Sequence, residues 1–260
     1  MRELEKRTAL VTGASSGLGV DFARELAARG ATVILAARRE DRLNDLAITL
    51  RELHGVRVEV VAVDLTAVDA VETLCRQVAE SGLSVDILVN NAGFGAHAAF
   101  VDLSWEREQQ MLELDILALV HLTKKLVPGM VDRGWGRILQ VASIGAYQPC
   151  PTYASYGAAK AFVRNFSEAL HFELSGTGVT CTVISPGATA TEFMEVAGQE
   201  VTWAHRLTLM SSEAVGRIGI RSMLAGRASV VPGWVNKLAA FSVRFAPRRL
   251  ATWAAWLVMR

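Results

Sequence analysis

Tyr156 and Lys160, in the run Tyr156-Gly157-Ala158-Ala159-Lys160, stand thirteen and seventeen positions after Ser143. On a helix, residues four apart share a face, so the ammonium of Lys160 would sit beside the phenol of Tyr156 and favour its ionised form. A free tyrosine titrates near pKa ~10, too high for a good base at neutral pH, and a neighbouring cation is a physical means of bringing it into range. A serine hydroxyl upstream adds a partner for a substrate oxygen. Such a set suits redox chemistry on a carbonyl or alcohol, where a proton must be given or taken as the oxygen changes state. A solvated helix surface also carries tyrosine and lysine at this spacing, so the elements that would position them decide the reading.

The 260 residues allow one large or two small domains, and a 51% hydrophobic content is ample for a substantial core. With 27 basic and 26 acidic residues read as well mixed, the net charge of +1 gives no reason to expect a nucleic-acid partner. Cys75, Cys150 and Cys181 are far apart and odd in number, which predicts reduced thiols and no disulfide framework. The charged start at residues 1–7 runs directly into a strand-like segment, leaving no room for a secretory leader, so a cytoplasmic protein is expected. His54, His97, His121, His171 and His205 show no paired ligand spacing, and no metal site is expected.

Short β-branched or apolar runs at residues 8–12, 32–36, 57–63, 87–89, 137–141, 179–184 and 229–231 alternate with helical periodicity beginning near Gly17, Asp41, Ala67, Trp105, Tyr153 and Ser212. This alternation predicts an α/β fold with a parallel sheet covered by crossover helices on both faces. No linker-like, low-complexity or repeated stretch interrupts it, so residues 1–260 read as a single domain. The first strand ends in Thr12-Gly13-Ala14-Ser15-Ser16-Gly17-Leu18-Gly19 and leads into a helix whose inner face carries Phe22, Leu26 and Ala27. A glycine-rich turn opening a helix lets backbone N–H groups and the helix dipole approach a pyrophosphate. Its spacing is GxxxGxG, not GxGxxG, and its place after the first strand of an α/β series favours a nucleotide site over a plain tight turn.

With these pieces in order, the chain resembles the short-chain dehydrogenase/reductase family over nearly its full length. The motifs are Thr12-Gly13-xxx-Gly17-x-Gly19, Asp64 after the third strand, Asn90-Asn91-Ala92-Gly93 after the fourth, Ser143 after the fifth, Tyr156-xxx-Lys160, and Pro186-Gly187 after the sixth. The resemblance implies a Rossmann-type doubly wound, mostly seven-stranded parallel sheet with a nicotinamide cofactor at the carboxyl ends of the strands. It implies that Tyr156 is the general acid and base, that Ser143 polarises the substrate oxygen, and that Lys160 lowers the tyrosine pKa and bonds the nicotinamide ribose. Asp115 stands where family members usually carry an asparagine that anchors a proton relay. The carboxylate lacks the amide donor and brings a negative charge. Three outcomes are open: a relay that persists with Asp115 paired to Lys160, a shifted pH optimum, or a weakened or non-catalytic binder.

The resemblance also implies cofactor contacts from Gly13, Ser15, Ser16, Gly17, Leu18 and Gly19, with Asp64 and Leu65 at the adenine and Asn91, Ala92 and Gly93 at the adenine ribose. Pro186, Gly187, Thr189 and Thr191 would border the carboxamide and diphosphate. At the end of the second strand, Leu35-Ala36-Ala37-Arg38-Arg39 has no acidic residue to repel a 2′-phosphate, and Arg38 is placed to pair with one, so NADP(H) is the expected cofactor. The alternative for Arg38 and Arg39 is a pair of solvated loop charges.

A substrate lid is expected at about 188–211, carrying Phe193, Met194, Trp203, Leu207, Leu209 and Met210, with Phe94, Ile144, Tyr147, Cys150 and Tyr153 opposite. No arginine in these segments stands out as a carboxylate clamp, although Arg206 could reach, so a mainly hydrophobic carbonyl or alcohol is the expected substrate. Cys150 is read as a pocket wall, having no neighbouring cation to activate it, and His97 as part of a surface loop. The amphipathic segment at about 234–260 interleaves Trp234, Phe241, Phe245, Trp253 and Trp256 with Lys237, Arg244, Arg248, Arg249 and Arg260. Only residues 250–259 separate its flanking arginines, too few to span a bilayer. It is read as packing on the lid or on a neighbouring subunit, with a membrane surface as the other possibility. A homodimer or homotetramer built on the helices around Trp105 and Tyr156 is what the resemblance implies.

Overall fold

The computed structural model describes residues 2–199 and 209–259. Seven parallel strands form one sheet in the order β3-β2-β1-β4-β5-β6-β7. They are β1 (Thr8–Thr12), β2 (Thr32–Ala37), β3 (Val58–Ala62), β4 (Ile87–Asn90), β5 (Gly136–Val141), β6 (Val179–Ile184) and β7 (Ser229–Val230). The helices are α1 (Gly17–Ala28), α2 (Glu40–His54), α3 (Ala70–Glu80), α4 (Trp105–Leu112), α5 (Leu119–Asp132), α6 (Ala154–Glu173), α7 (Phe193–Ala197), α8 (Ser212–Leu224), α9 (Trp234–Ser242) and α10 (Arg248–Met259).

The strands are apolar on both faces because both faces are covered. Ala9, Val11, Val33, Leu35, Ile87, Val89 and Leu139 enter the cluster that includes residues of α1, α2 and α8, while Leu10, Ile34, Leu88 and Ile138 enter the one with α3, α5 and α6. Alternate residues therefore serve opposite layers, as the period of two requires. β1 pairs with both β2 and β4, so the chain reverses its direction of winding at β1. The crevice at the carboxyl ends of β1 and β4 is where a doubly wound sheet binds ligands.

Two local departures bear on the site. α3 begins at Ala70 rather than near Ala67, because Asp69 holds a left-handed conformation at φ 57° that the preceding turn imposes. Between α4 and α5 the helix widens into a π-helical stretch, Glu113–Ala118, that carries Asp115. Such single wide turns recur at functional sites.

Candidate active site

Tyr156 and Lys160 lie in the first two turns of α6. Ser143 follows β5 in an extended conformation, and its Oγ accepts from the Gly145 N–H at 3.1 Å, which fixes the single 3-10 turn Ile144–Tyr147. The same hydroxyl lies near enough to the Tyr156 phenol to lower its pKa. Lys160 is 5% exposed; its Nζ donates to the Val141 carbonyl at 3.2 Å and forms an ion pair with Asp115 Oδ2 at 3.1 Å. Asp115 has no exposure, and its other oxygen accepts from the Phe94 N–H at 3.1 Å. Gly93 makes this crossing possible, since a Cβ there would lie 2.5 Å from Asp115 Oδ1 and 3.1 Å from Lys160 Nζ. Burial raises the Asp115 pKa, and the charge of Lys160 opposes that rise.

The effect of Lys160 on the phenol differs from the sequence expectation. Burial first, and the Asp115 carboxylate second, push the Tyr156 pKa well above that of an ordinary tyrosine, against the Ser143 hydroxyl, which lowers it. The physical reason is that Lys160 is already occupied: its ammonium is matched by Asp115 and Val141 and lies 5.6 Å from the centroid of the tyrosine ring. A phenol in these surroundings holds its proton, which suits an acid better than a base.

The glycine turn is pressed onto the start of α1, for a Cβ at Gly19 would collide with the Gly13 carbonyl oxygen. Ser16 precedes α1 without capping it through its side chain, and no acidic residue lies in the first turn. The first N–H groups of this 12-residue helix are thus left for an anion, which fits the pyrophosphate of a dinucleotide. Leu18 packs against the core beneath the turn. Asn91 ties the turn to β4: its side chain donates to the Thr12 carbonyl at 2.9 Å, and the Asn91 and Ala92 N–H groups both donate to Thr12 Oγ1 at 3.0 Å.

At the end of β2 the two arginines separate. Arg39 Nε donates to Ser15 Oγ at 3.2 Å and its Nη1 to Glu192 at 3.1 Å, whereas Arg38 is turned outward, 71% exposed, with Asp64 4.0 Å away. Arg39 is therefore the arginine that reaches the glycine turn, and Arg42 joins it on Glu192 at 2.7 Å. The Arg-Arg doublet and the carboxylate next to Thr191 are the sequence signals that could have pointed there; the expectation had been Arg38. Leu65 is half-buried against the cluster that includes α3 residues, and Asp64 accepts from the Thr66 N–H.

On the other side of the crevice, the Pro186 carbonyl accepts from the Ile144 N–H at 2.8 Å, Gly187 lies against Asn236, and Thr189 Oγ1 donates to the Gly187 carbonyl at 3.1 Å. Thr191 approaches Gly17 across the turn and accepts from the Phe193 N–H at 3.3 Å.

Three aromatic rings stand in sequence over the candidate site: Tyr153 to Tyr156 and Tyr156 to Phe193 are each 5.5 Å between centroids. Cys150, Ala197 and Met259 complete this apolar cluster. Burial pushes the Cys150 thiol up to about 11, in keeping with a wall. Tyr147 does not join them. It packs instead with Ala146 and Val163 under the Arg164 guanidinium, because the 3-10 turn rotates its ring toward α6. The Phe94 ring is covered by the Arg107 guanidinium at 4.0 Å. His97, expected in a surface loop, is half-buried with its ring 5.1 Å from Tyr153. Met259 and Gln199 were not anticipated. Gln199 accepts from the Tyr153 hydroxyl at 2.8 Å and donates to the Met259 carbonyl at 3.2 Å, joining the end of α10 to the site. Of the lid residues, Trp203, Arg206 and Leu207 lie outside the described residues, as does His205.

A family profile described as short chain dehydrogenase matches residues 7–202. The chain belongs to the short-chain dehydrogenase family. It is thereby an oxidoreductase with the Rossmann-type fold. A short-chain dehydrogenase from Sphingobium yanoikuyae, solved in complex with NADPH, is 31% identical with a TM-score of 0.83, covering 92% of this chain and 93% of that one. A 3-ketoacyl-(acyl-carrier-protein) reductase from Brucella melitensis, solved with NADH, is 26% identical with a TM-score of 0.78, covering 89% and 99%. Among curated relatives, the very-long-chain 3-oxoacyl-CoA reductase of Mus musculus is 29% identical over 241 residues, 87% of this dehydrogenase and 76% of the relative.

Proposed function

We propose that the protein is an NADP(H)-dependent oxidoreductase that moves a hydride between nicotinamide and a hydrophobic carbonyl or alcohol of 3-oxoacyl, steroid, retinoid or xenobiotic type. The observation that carries this reading is the contact of the Tyr156 phenol with Ser143 beside a Lys160 held by Asp115. In reduction, Ser143 holds the substrate oxygen and Tyr156, kept protonated by burial, gives it a proton. Asp115 and Val141 hold the Lys160 ammonium in a buried position, and its role in this reading is to bond the nicotinamide ribose. The cofactor, when bound, supplies the hydride. The glycine turn, the start of α1, Asn91 to Gly93 and the segment from Pro186 to Thr191 hold it, and the lack of an acid at the end of β2 together with Arg39 supports NADP(H) over NAD(H). The rings of Tyr153 and Phe193 with Cys150 and Met259 favour an apolar substrate.

Oxidation of NADPH followed spectrophotometrically over a panel of such carbonyls tests the reading. Turnover is expected on at least one, falling about 10²- to 10⁴-fold in Tyr156→Phe with nucleotide binding retained. No turnover above the enzyme-free rate across the panel overturns it. The neutralised Lys160 favours one other reading, a non-catalytic dinucleotide-binding protein, under which Tyr156→Phe changes nothing measurable. The assembly proposed is a homodimer or homotetramer on the helices around Trp105 and Tyr156, α4 and α6, where Trp105 and Phe172 are exposed.

A further inference from the structure

The two C-terminal helices turn their small residues inward and their large ones outward. α9 buries Asn236 and Ala240, and α10 buries Ala251 and Ala255. Trp234, Leu238, Phe241 and Phe245 recur on the outer side of the α9 segment, Trp234 77% and Phe245 75% exposed, while Leu250, Trp253 and Leu257 do the same on α10. A soluble surface rarely leaves so continuous an apolar stripe uncovered.

Charge says what covers it. All 26 acidic residues of the chain lie at or before Glu213, and eight of its 27 Lys and Arg residues lie after it. Lys237, Arg244, Arg248 and Arg249 are exposed among the aromatic side chains. A two-fold contact between copies through this face would set basic side chains against basic side chains with no carboxylate from the same segment to relieve them. An anionic lipid surface offers the opposite charge and an apolar layer for tryptophan and phenylalanine at the same depth. Among the described residues no helix is long and apolar enough to cross a membrane.

The face also adjoins the candidate active site. Asn236 on α9 packs against Gly187, and Met259 at the end of α10 lies in the cluster with Tyr153 and Phe193. A shallow groove of about 430 Å³ runs between Pro151 and α10, past Arg248, Thr252 and Trp253.

We propose that α9 and α10 form a docking surface for an anionic bilayer, seated beside the mouth of the active site so that an apolar substrate passes to it from the lipid. The docking itself does not depend on the redox reading. Cosedimentation of the full chain tests it, with phosphatidylcholine vesicles and with vesicles holding about 30% phosphatidylglycerol, at low salt and at about 0.15 M. The protein is expected to pellet with the anionic vesicles and to be released by salt. Replacing Lys237, Arg244, Arg248 and Arg249 by glutamine should weaken partition about fivefold for each charge removed. The triple change Trp234→Ser, Phe245→Ser and Trp253→Ser should abolish it, with circular dichroism and thermal midpoint unchanged as the check on folding. Protein that stays in the supernatant with both vesicle types overturns the proposal. So does a triple variant that turns a dimer into a monomer in sedimentation velocity while vesicle partition is unaltered, which would make the face a subunit contact.

Discussion

Replacing Asp115 by asparagine keeps an acceptor for the Phe94 N–H and removes the charge beside Tyr156. Since that carboxylate is one cause of the raised tyrosine pKa, its loss favours the phenolate. Measured in the direction of alcohol oxidation, the alkaline rise of kcat in Asp115→Asn should begin at lower pH than in the parent. An unchanged pH profile would show that the ion pair has no hold on the phenol. Asp115→Ala leaves Lys160 buried without its counter-charge and should cost roughly 3–5 kcal/mol in urea unfolding. At the nucleotide end, Arg39→Ala should weaken NADPH about tenfold or more with little change for NADH, and Arg38→Ala should do much less, as fluorescence titration would read. The types and spacing of Ser143, Tyr156 and Lys160 were legible in the sequence, as was the chance of an Asp115 pair. The direction of the tyrosine shift was not, because helical spacing names a neighbour without naming the third group that claims it. From sequence Arg38 was the arginine expected at a 2′-phosphate, whereas Arg39 is the one turned inward, held by Ser15 and Glu192, which are distant in sequence.

The strands announce themselves as elements, since a run such as Ile87 to Asn90 buried on both faces must be nearly all apolar. The π-helical stretch from Glu113 to Ala118 gives no such signal; its residues are ordinary helix formers, and its Asp115 pairs with Lys160, which is distant in sequence. Removing one residue from it should restore α-helical winding. Deletion of Leu117, 63% exposed, takes out the extra residue that the wide turn accommodates and shifts Asp115 from its place on the helix. Asp115 then leaves Lys160. The expected result is a folded protein by circular dichroism, with a lowered thermal midpoint and with turnover reduced at least as far as in Asp115→Asn. Undiminished turnover would mean that the wide turn does not position the pair.

Across the whole molecule, the sheet, both apolar layers and the crevice at β1 and β4 follow from a strand and helix alternation that can be read without coordinates. The course of the last segment cannot. An amphipathic pattern in Trp234 to Met259 states that one side differs from the other and allows packing on the lid, where Met259 does join Phe193 and Ala197, but only the structure reveals that most of the large side chains face out. The division of charge at Glu213 has a practical result at the bench. With a net charge of +1 and an isoelectric point near 7.8, the chain ought to pass weakly through either ion-exchange resin at neutral pH. Retention follows local fields more than the total. Such a lopsided molecule should be held by a cation exchanger even in a buffer somewhat above its isoelectric point, gripping the beads by its last 47 residues while the acidic remainder faces the flow.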